Sequence, residues 1–429
     1  MSLVGRSFLH ASDIHLGFPL GALRDSEQLD ANDLLALIEQ MQQAFDNLIK
    51  LAINEQVMFV VLAGDIYDDL DKQDALQGRF RRGLEELAKH NIGVFMIHGN
   101  HDPLTSAVSW RRPLPSNCHV FQPNEPQEFL AASSADDEVW VAGVSFGSKK
   151  VAENLAQRFL SLPAERAKRR VGVLHTSLNG NPNHEAYAPC TIDDLRAAPV
   201  GYWALGHVHL RDDHNPLGPG RWWAYSGNLQ GKSFKPAECQ PKGALLVRLS
   251  PDGFDAPKFC ELDTVRFVNL KVAVDEIDDV NGALSRIMAG LDQSRNQNGD
   301  RRLVVRVELT GRSQFHSQLH NLAASGKLRG NLIDEYRNDL GDTIIAAVAS
   351  SVLPEYNPAD LRRGDSLIAV ALARIDAMSD EEVIEAAASL IGDNAASDVR
   401  TNPEAASFIR ARVELALVEA ILDAEGVSS

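Results

Sequence analysis

The chain has 429 residues, 44% hydrophobic and 24% charged, a globular balance that excludes a disordered, collagen-like or fibrous protein. At about 100–200 residues per domain, this length holds roughly two to four domains. The formal net charge of −17 argues against a protein that coats nucleic acid by bulk charge, and leaves room for a local basic groove.

In chain order, Ser7 to Ala11 is mostly apolar and ends at Ser12-Asp13, which reads as a buried strand running into a polar loop. Asp33 to Ala52 carries Leu34, Leu37, Ile38, Met41, Phe45, Leu48 and Ile49 at helical spacing. Val57 to Ala63 reads as a second buried strand ending at Gly64-Asp65, Leu76 to His90 as a helix, and Gly93 to Ile97 as a third strand ending at Gly99-Asn100-His101-Asp102. Strand–helix–strand alternation is an α/β signature, and ligands in such sheets gather at the carboxyl ends of the strands.

Short strands are predicted at His119–Phe121, Val139–Ala142, Val171–Leu174, Tyr202–Leu205, Trp222–Tyr225, Ala244–Leu249 and Lys258–Leu262, with a helix over Lys149–Leu160. A β-rich stretch after an α/β start suggests two sheets packed face to face with helices outside. Near Val265 the pattern changes: strands over Phe267–Val274 and Leu303–Leu309, helices over Val280–Leu291 and Phe315–Ala324, and a polar linker over Ser294–Asp300, as in a small α+β domain. After Pro354 the chain is alanine-rich and lacks lysine; Leu367–Met378, Asp380–Leu390 and Glu404–Leu422 read as helices, the second with Ser379 as N-cap and an acidic first turn.

Charge follows this division. Glu355–Ser429 holds 15 acidic and 6 basic residues, whereas Arg266–Pro354 holds 11 of each, nine of the basic ones arginine. Arginine suits phosphate recognition, although mixed charge on a solvated surface has the same composition. Apolar runs such as Val57 to Leu62 fall far short of the roughly 20 residues that span a bilayer. The N-terminus has Arg6 as its basic residue and no long apolar core, unlike a signal peptide. Cys118, Cys190, Cys239 and Cys260 are widely spaced, which suits a reducing cytoplasm and disfavours a thiolate zinc site or a disulfide scaffold.

Five short motifs fall at predicted strand ends: Asp13-Ile14-His15, Gly64-Asp65-Ile66-Tyr67-Asp68, Gly99-Asn100-His101-Asp102, His175, and Gly206-His207-Val208-His209. Each alone could be a capped turn; together, after separate strands, they point to coordination. Carboxylate, imidazole and amide oxygen suit divalent manganese, iron or zinc. Two such ions about 3.5–4 Å apart can be bridged by one carboxylate, lower the pKa of a water between them and polarise a phosphoryl oxygen. Asp65, after the most apolar strand, is the candidate bridge. The chemistry favoured is in-line attack on a phosphate ester.

These motifs resemble the calcineurin-like metallophosphoesterase superfamily. The match covers most of the first 260 residues or so and looks closest to the SbcD-type DNA repair nucleases, in particular a YhaO-like bacterial branch. Leu174-His175-Thr176-Ser177-Leu178-Asn179-Gly180, Tyr187-Ala188-Pro189-Cys190 and Ser226-Gly227-Asn228-Leu229-Gln230-Gly231 support that branch. The resemblance implies a four-layer α/β/β/α sandwich over residues 1–265, a small α+β capping domain over 266–346 that places DNA, and C-terminal helices over 347–429 that dock an SMC-like ATPase. It implies one metal held by Asp13, His15, Asp65 and His209 and a second by Asp65, Asn100, His175 and His207, with manganese expected and iron, zinc or magnesium as alternatives. His101 would stand beside the metals as transition-state stabiliser or general acid, with Asp68 orienting it as aspartate does in phosphatase relatives; in archaeal relatives histidine is expected at that position. A cytoplasmic DNA exonuclease or endonuclease, dimeric and without membrane attachment, is the reading that results.

The substrate residues are less marked. Gly227, Asn228 and Gly231 form a loop that resembles the substrate-strand loop of these nucleases, where glycine permits close backbone approach to phosphate. A plain turn has the same signature. His184 and His214 lie in loops near the motifs and could reach substrate; His10, inside the first strand, and His98, at the end of the third, read as core or as support behind the ligands. Arg111-Arg112, Lys149-Lys150 and Arg166 to Arg170 are candidate basic patches, although the last, running straight into the strand that bears His175, reads more readily as a solvated helix end. Phe408, Val413, Leu415, Leu417, Ile421 and Leu422 form an apolar stripe for core packing or partner docking. The competing classes are a small-substrate phosphodiesterase or phosphatase, and a non-catalytic scaffold for DNA ends or the ATPase. Against a phosphatase stand Asp69 and Asp102, where arginine and glutamate are expected.

Overall fold

The computed structural model describes residues 2–17, 31–67, 74–104, 113–178, 187–355, 362–364, 366–388 and 405–424. Asp68, His184 and the Arg111-Arg112 pair lie outside the described residues. The chain divides into two compact units, one of residues 1–268 with 298–304 and 342–346, the other of 269–297, 305–341 and 347–429.

The first unit is built on two sheets. The first contains β1 (Ser7–Ala11), β2 (Phe59–Ala63), β3 (Gly93–Ile97) and β4 (Cys118–Val120), all parallel. The second runs β5 (Gln127–Ser133), β6 (Glu138–Gly143), β7 (Arg170–His175), β8 (Tyr202–Gly206), then β10 (Arg221–Tyr225) and, at its edge, β9 (Asp212–Gly218). On the other flank of β1, β11 (Gly243–Ser250) pairs antiparallel and carries β12 (Gly253–Phe254) and β13 (Lys258–Glu261).

Both faces of the central strands are apolar, as burial on both sides requires, and the two-residue period sorts them. In β2, Phe59, Val61 and Ala63 point into a core shared with Val171 and Val173 of β7 and Tyr202 and Ala204 of β8. Val60 and Leu62 point the other way, towards Phe45 and Leu48 of α1 (Ala31–Asn54) and Phe80 and Leu84 of α2 (Asp74–Lys89). Trp203 and Leu205 of β8 face outward onto Phe159 and onto Leu195 of α3 (Ile192–Ala197). Helix, sheet, sheet and helix thus form four layers. Phe8 stacks on Phe59 at 4.8 Å, and Phe59 meets Phe95 edge-on at 5.6 Å, contacts worth about 0.5–1.5 kcal/mol each beyond their burial. His10 joins the sheets: its Nδ1 lies 3.0 Å from the Tyr202 hydroxyl and its Nε2 3.2 Å from the Leu205 carbonyl oxygen. Burial lowers its pKa to about 3, so the ring is neutral, a core residue as expected.

The basic run before β7 is structural. Arg170 is fully buried; its Nε donates to Glu128 Oε1 at 2.8 Å and its Nη2 to the Pro163 carbonyl at 2.8 Å, and Nη1 donates to the Pro199 carbonyl. Arg169 donates to Asp137 and to the carbonyls of Ser250 and Gly253. Arg170→Ala orphans the Pro163 and Pro199 carbonyls and takes one donor from Glu128. Because Arg166 still reaches Glu128 at 3.2 Å, the expected loss lies at the lower end for a broken buried pair, about 3 kcal/mol, read as a lower urea midpoint at unchanged slope.

A three-stranded sheet follows, in the order β14 (Val265–Ala273), β15 (Arg302–Thr310), β17 (Ile344–Ser350), with a two-stranded pair of β16 (Arg312–Ser313) and β18 (Leu353–Pro354). The second unit contains α4 (Val280–Asn298), whose Leu284, Ile287, Met288 and Leu291 are buried, then α5 (His316–Ala324) and α6 (Lys327–Glu335). The expected linker at Ser294–Asp300 is mostly helix: Ser294 is buried and its hydroxyl donates to the Gly290 carbonyl at 2.9 Å. The C-terminal helices are α7 (Leu367–Ala377), α8 (Asp380–Ala388) and α9 (Ala405–Ala424). Ser379 and Glu382 cap α8 reciprocally at 2.7 and 3.2 Å, a capping box built on the N-cap serine expected there. Of the apolar stripe, Phe408 is 67% exposed; the side chains of Leu415, Ile421 and Leu422 lie outside the described residues. No helix among the described residues is long and apolar enough to cross a membrane.

Candidate metal centre

The parallel strands β1, β2, β3, β7 and β8 end at the same side of the sandwich, and each delivers one motif. The chain turns sharply there. Asp13, His15, Asp65 and His207 take positive φ values of 50°, 48°, 49° and 99°, a strain of about 1–3 kcal/mol each for a non-glycine residue. Neighbouring loops hold it. Asp13 N donates to the Gly64 carbonyl at 3.1 Å, and His15 N to that of Asp65 at 3.0 Å. Asp102, buried, accepts from Ile66 N at 2.9 Å and Gly99 N at 2.8 Å, fastening the second motif to the third. Two motif glycines are fixed by close approach: a Cβ on Gly99 would lie 2.2 Å from Asp65 Oδ1, and one on Gly206 2.0 Å from the Ala63 carbonyl oxygen.

These turns bring the expected ligands together. Asp13, His15 and His209 present ligand atoms within 4.8 Å of one another, as do Asp13, Asp65 and His175. Asp13 is common to both groups, while Asp65 Oδ2 lies 3.3 Å from His175 Nε2 and 3.9 Å from His15 Nε2. Asn100 Oδ1 lies 2.9 Å from His175 Nε2 and 3.3 Å from His207 Nδ1. The Asp13 carboxylate also accepts from His207 N at 3.1 Å and from the Ser12 hydroxyl at 2.5 Å. His101 reaches the group through its backbone, its N–H donating to Asp65 Oδ1 at 2.9 Å, with its ring 5.1 Å from that of His15.

The donor chemistry fits cations. His175 Nδ1 faces the Ala63 carbonyl at 2.9 Å and so carries a proton, which leaves Nε2, directed at Asp65 and Asn100, for a cation or, in the metal-free protein, for a second proton. His209 Nδ1 lies 2.6 Å from Glu238 Oε1, so its Nε2 lone pair faces His15 Nε2 at 3.1 Å. Lone pairs and carboxylates converging in a buried space require positive charge between them. Burial raises the pKa of Asp65, yet His175 and His15 overcome this and hold it well below the usual carboxylate range. Asp13 is lowered likewise: burial opposes, and His175 and His209 prevail. Burial lowers His175, but Asp65 and Asp13 outweigh it and lift it to about 9. His207, by burial and then by His175, falls to about 4.

A pH dependence of the metal-free protein follows. A histidine whose folded pKa is raised contributes stability that is fully present below its unfolded value, about 6.5, and is lost as pH rises through the folded one. His175 therefore gives a falling melting temperature from about pH 6.5 to 9. His10 and His207, lowered to about 3 and 4, change their contributions only below that window. Thermal melts in chelator at stepped pH check this; a melting temperature that rises across the window contradicts it.

The other expected residues are placed as follows. Gly227, Asn228 and Gly231 lie in the interior below His209, all buried. His214 is exposed on edge strand β9, not in a loop. Lys149 and Lys150 are exposed. Sequence reasoning missed Glu238, which lies 29 positions after His209 in a polar stretch without motif spacing. Burial raises the pKa of Glu238, but the His209 hydrogen bond and nearby cations bring it down to about 2.

The calcineurin-like phosphoesterase family matches residues 6–211, and the middle domain of metallophosphoesterase YhaO matches residues 267–347. The metallophosphoesterase YhaO of Bacillus subtilis is 30% identical over 251 residues, 58% of each chain; the chain thus spans little more than half of that relative. The DNA double-strand break repair protein Mre11 of Sulfurisphaera tokodaii is 25% identical over 312 residues, 71% of this chain and 73% of its own. A dimetal phosphatase from Danio rerio covers 60% of this chain at 12% identity and a TM-score of 0.34, too slight a likeness to carry an argument. Residues 6–211 therefore match a calcineurin-like phosphoesterase domain, and that family comprises hydrolases that use a dinuclear metal centre. With its YhaO-type middle domain, it is homologous to YhaO and to the Mre11 proteins, consistent with the YhaO-like branch.

Proposed function

We propose that this chain is a two-metal DNA phosphodiesterase acting in DNA repair as the nuclease partner of an SMC-like ATPase. The observation that carries the phosphoesterase chemistry is the convergence of buried carboxylate, amide and imidazole acceptors from five strand ends on one space. DNA as substrate is supported by the likeness to a protein named for double-strand break repair over 71% of this chain.

In this reading Asp13, His15, Asp65 and His209 hold one ion, and Asp65, Asn100, His175 and His207 the other, with manganese as the ion. Bound there, the pair supplies an acidified water and electrophilic polarisation of a phosphoryl oxygen. Ser12 and the His207 amide keep the Asp13 carboxylate turned inward. Asp65 positions the backbone beneath His101, and His101 delivers a proton to the departing 3′ oxygen, oriented by Asp68. Residues 1–265 form the nuclease domain, 266–346 cap it over DNA, and 347–429 dock the ATPase; the enzyme works in the cytoplasm, paired with a second copy.

The test is a gel assay on end-labelled single- and double-stranded DNA with manganese, magnesium or chelator, alongside a small aryl phosphodiester. Metal-dependent cleavage of DNA, abolished by chelator, is expected. Hydrolysis of the aryl ester with DNA left intact, even after an SMC-like ATPase is added, would overturn the DNA reading in favour of a small-substrate phosphodiesterase. Loss of neither activity in chelator would overturn the metal reading.

A further inference from the structure

One imidazole of the centre is gripped from behind by groups outside every strand-end motif. Glu238, 6% exposed, ends a short turn over Pro236–Glu238. Its Oε1 lies 2.6 Å from His209 Nδ1, while its Oε2 accepts from Asn228 Nδ2 at 2.9 Å and from Lys232 N at 3.0 Å. Lys242, 2% exposed, donates from Nζ to the His209 carbonyl oxygen at 2.6 Å. The backbone closes tightly around this assembly. A Cβ on Gly231 would lie 2.3 Å from the Glu238 carbonyl oxygen, and one on Gly227, at φ +73°, 2.9 Å from that of His209. The loop with a phosphate-cradle composition is thus filled by a carboxylate that leans on a ligand histidine.

We propose that Glu238 is a positioning residue of the metal centre, holding His209 with its Nδ1–H outward and its Nε2 lone pair towards Asp13 and His15. This rests on the two-metal reading above. A ligating histidine has two ring nitrogens, and the acceptor on one decides which tautomer and ring angle the other offers. Glu238 supplies that acceptor, and its second oxygen is fixed by two donors, so the carboxylate cannot swing away without orphaning both. Lys242 fixes the backbone end of the same residue. Asn228 and Gly231 accordingly serve the ligand, not the substrate strand.

Glutamine cannot replace it. With its amide oxygen on His209 Nδ1–H, its NH2 would face Asn228 Nδ2 and Lys232 N, donor against donors; flipped, it would face Nδ1–H instead. The test is calorimetric manganese titration of the full chain as wild type, E238A, E238Q, H209A and E238A/H209A, with melting of each metal-free protein. Two ions are expected in the wild type, and about a 10–100-fold loss of affinity at one of them in E238A and E238Q. In the H209A background, adding E238A is expected to change nothing, since the two residues act through one atom pair. Should E238A not fold, E238Q, which keeps the shape, carries the comparison. Wild-type affinity at both sites in a folded E238Q would overturn the proposal, as would an E238A effect as large in H209A as in the wild type. A wild type that binds fewer than two ions would overturn the two-metal reading itself, and this proposal with it.

Discussion

Asp65→Ala is expected to strip the centre of metal and to lower phosphodiester hydrolysis by at least about 10³-fold, the scale at which a principal electrostatic element is lost. Asp65 is 1% exposed, and its two oxygens serve three partners: His175 at 3.3 Å, His15 at 3.9 Å and the His101 amide at 2.9 Å. Asp13, common to both ligand groups, also accepts from Ser12 and from the His207 amide. The substitution also orphans the His101 N–H, at about 1–3 kcal/mol, and puts alanine at φ 49°, which it tolerates less well than aspartate. Asp65→Asn keeps the turn and the hydrogen bond and serves as the folding control. Metal analysis after dialysis reads the result; two ions retained per chain in Asp65→Ala would remove Asp65 from the centre.

His101→Ala is expected to do the reverse, keeping both ions while lowering kcat by about 10²–10⁴-fold, the range for a lost general acid. His101 touches Asp65 through its backbone N–H, which alanine retains, and its imidazole belongs to neither ligand group. The ring centroids of His101 and His15 are 5.1 Å apart, near enough for the imidazole to reach a leaving group held at the centre. A split between metal content and turnover therefore marks its role. Metal content falling in step with activity would show instead that His101 ligates.

Why the centre was legible in sequence follows from how it is built. Strands buried on both faces leave unbroken apolar runs, so Val60-Val61-Leu62 and Val94-Phe95-Met96 stand out, and the polar residues just beyond them mark the loops. What faded was half-buried or two-sided. Edge strand β5 shows no clean alternation, and β9 carries Asp212, Asp213, Asn215 and Pro216, a composition that reads as loop. The helix sought at Lys149–Leu160 is a 3₁₀ segment at Leu155–Ser161, capped by Asn154, whose side chain accepts from Ala156 N at 3.1 Å. Glycine was ambiguous at Gly227 and Gly231, because close approach to a ligand and close approach to protein backbone leave the same residue. Glu238 left no local signature at all. Its partners come from two stretches of chain, at His209 and at Asn228 to Lys232, and only folding brings them together.

The central claim is a pair of cations held between the two ligand groups, and anomalous diffraction at the manganese edge from crystals grown with manganese tests it most directly. Two separate peaks are expected, one contacting Asp13, His15 and His209, the other contacting Asn100, His175 and His207, with Asp65 touching both. A single peak, or manganese bound only at surface carboxylates away from these side chains, would contradict the account.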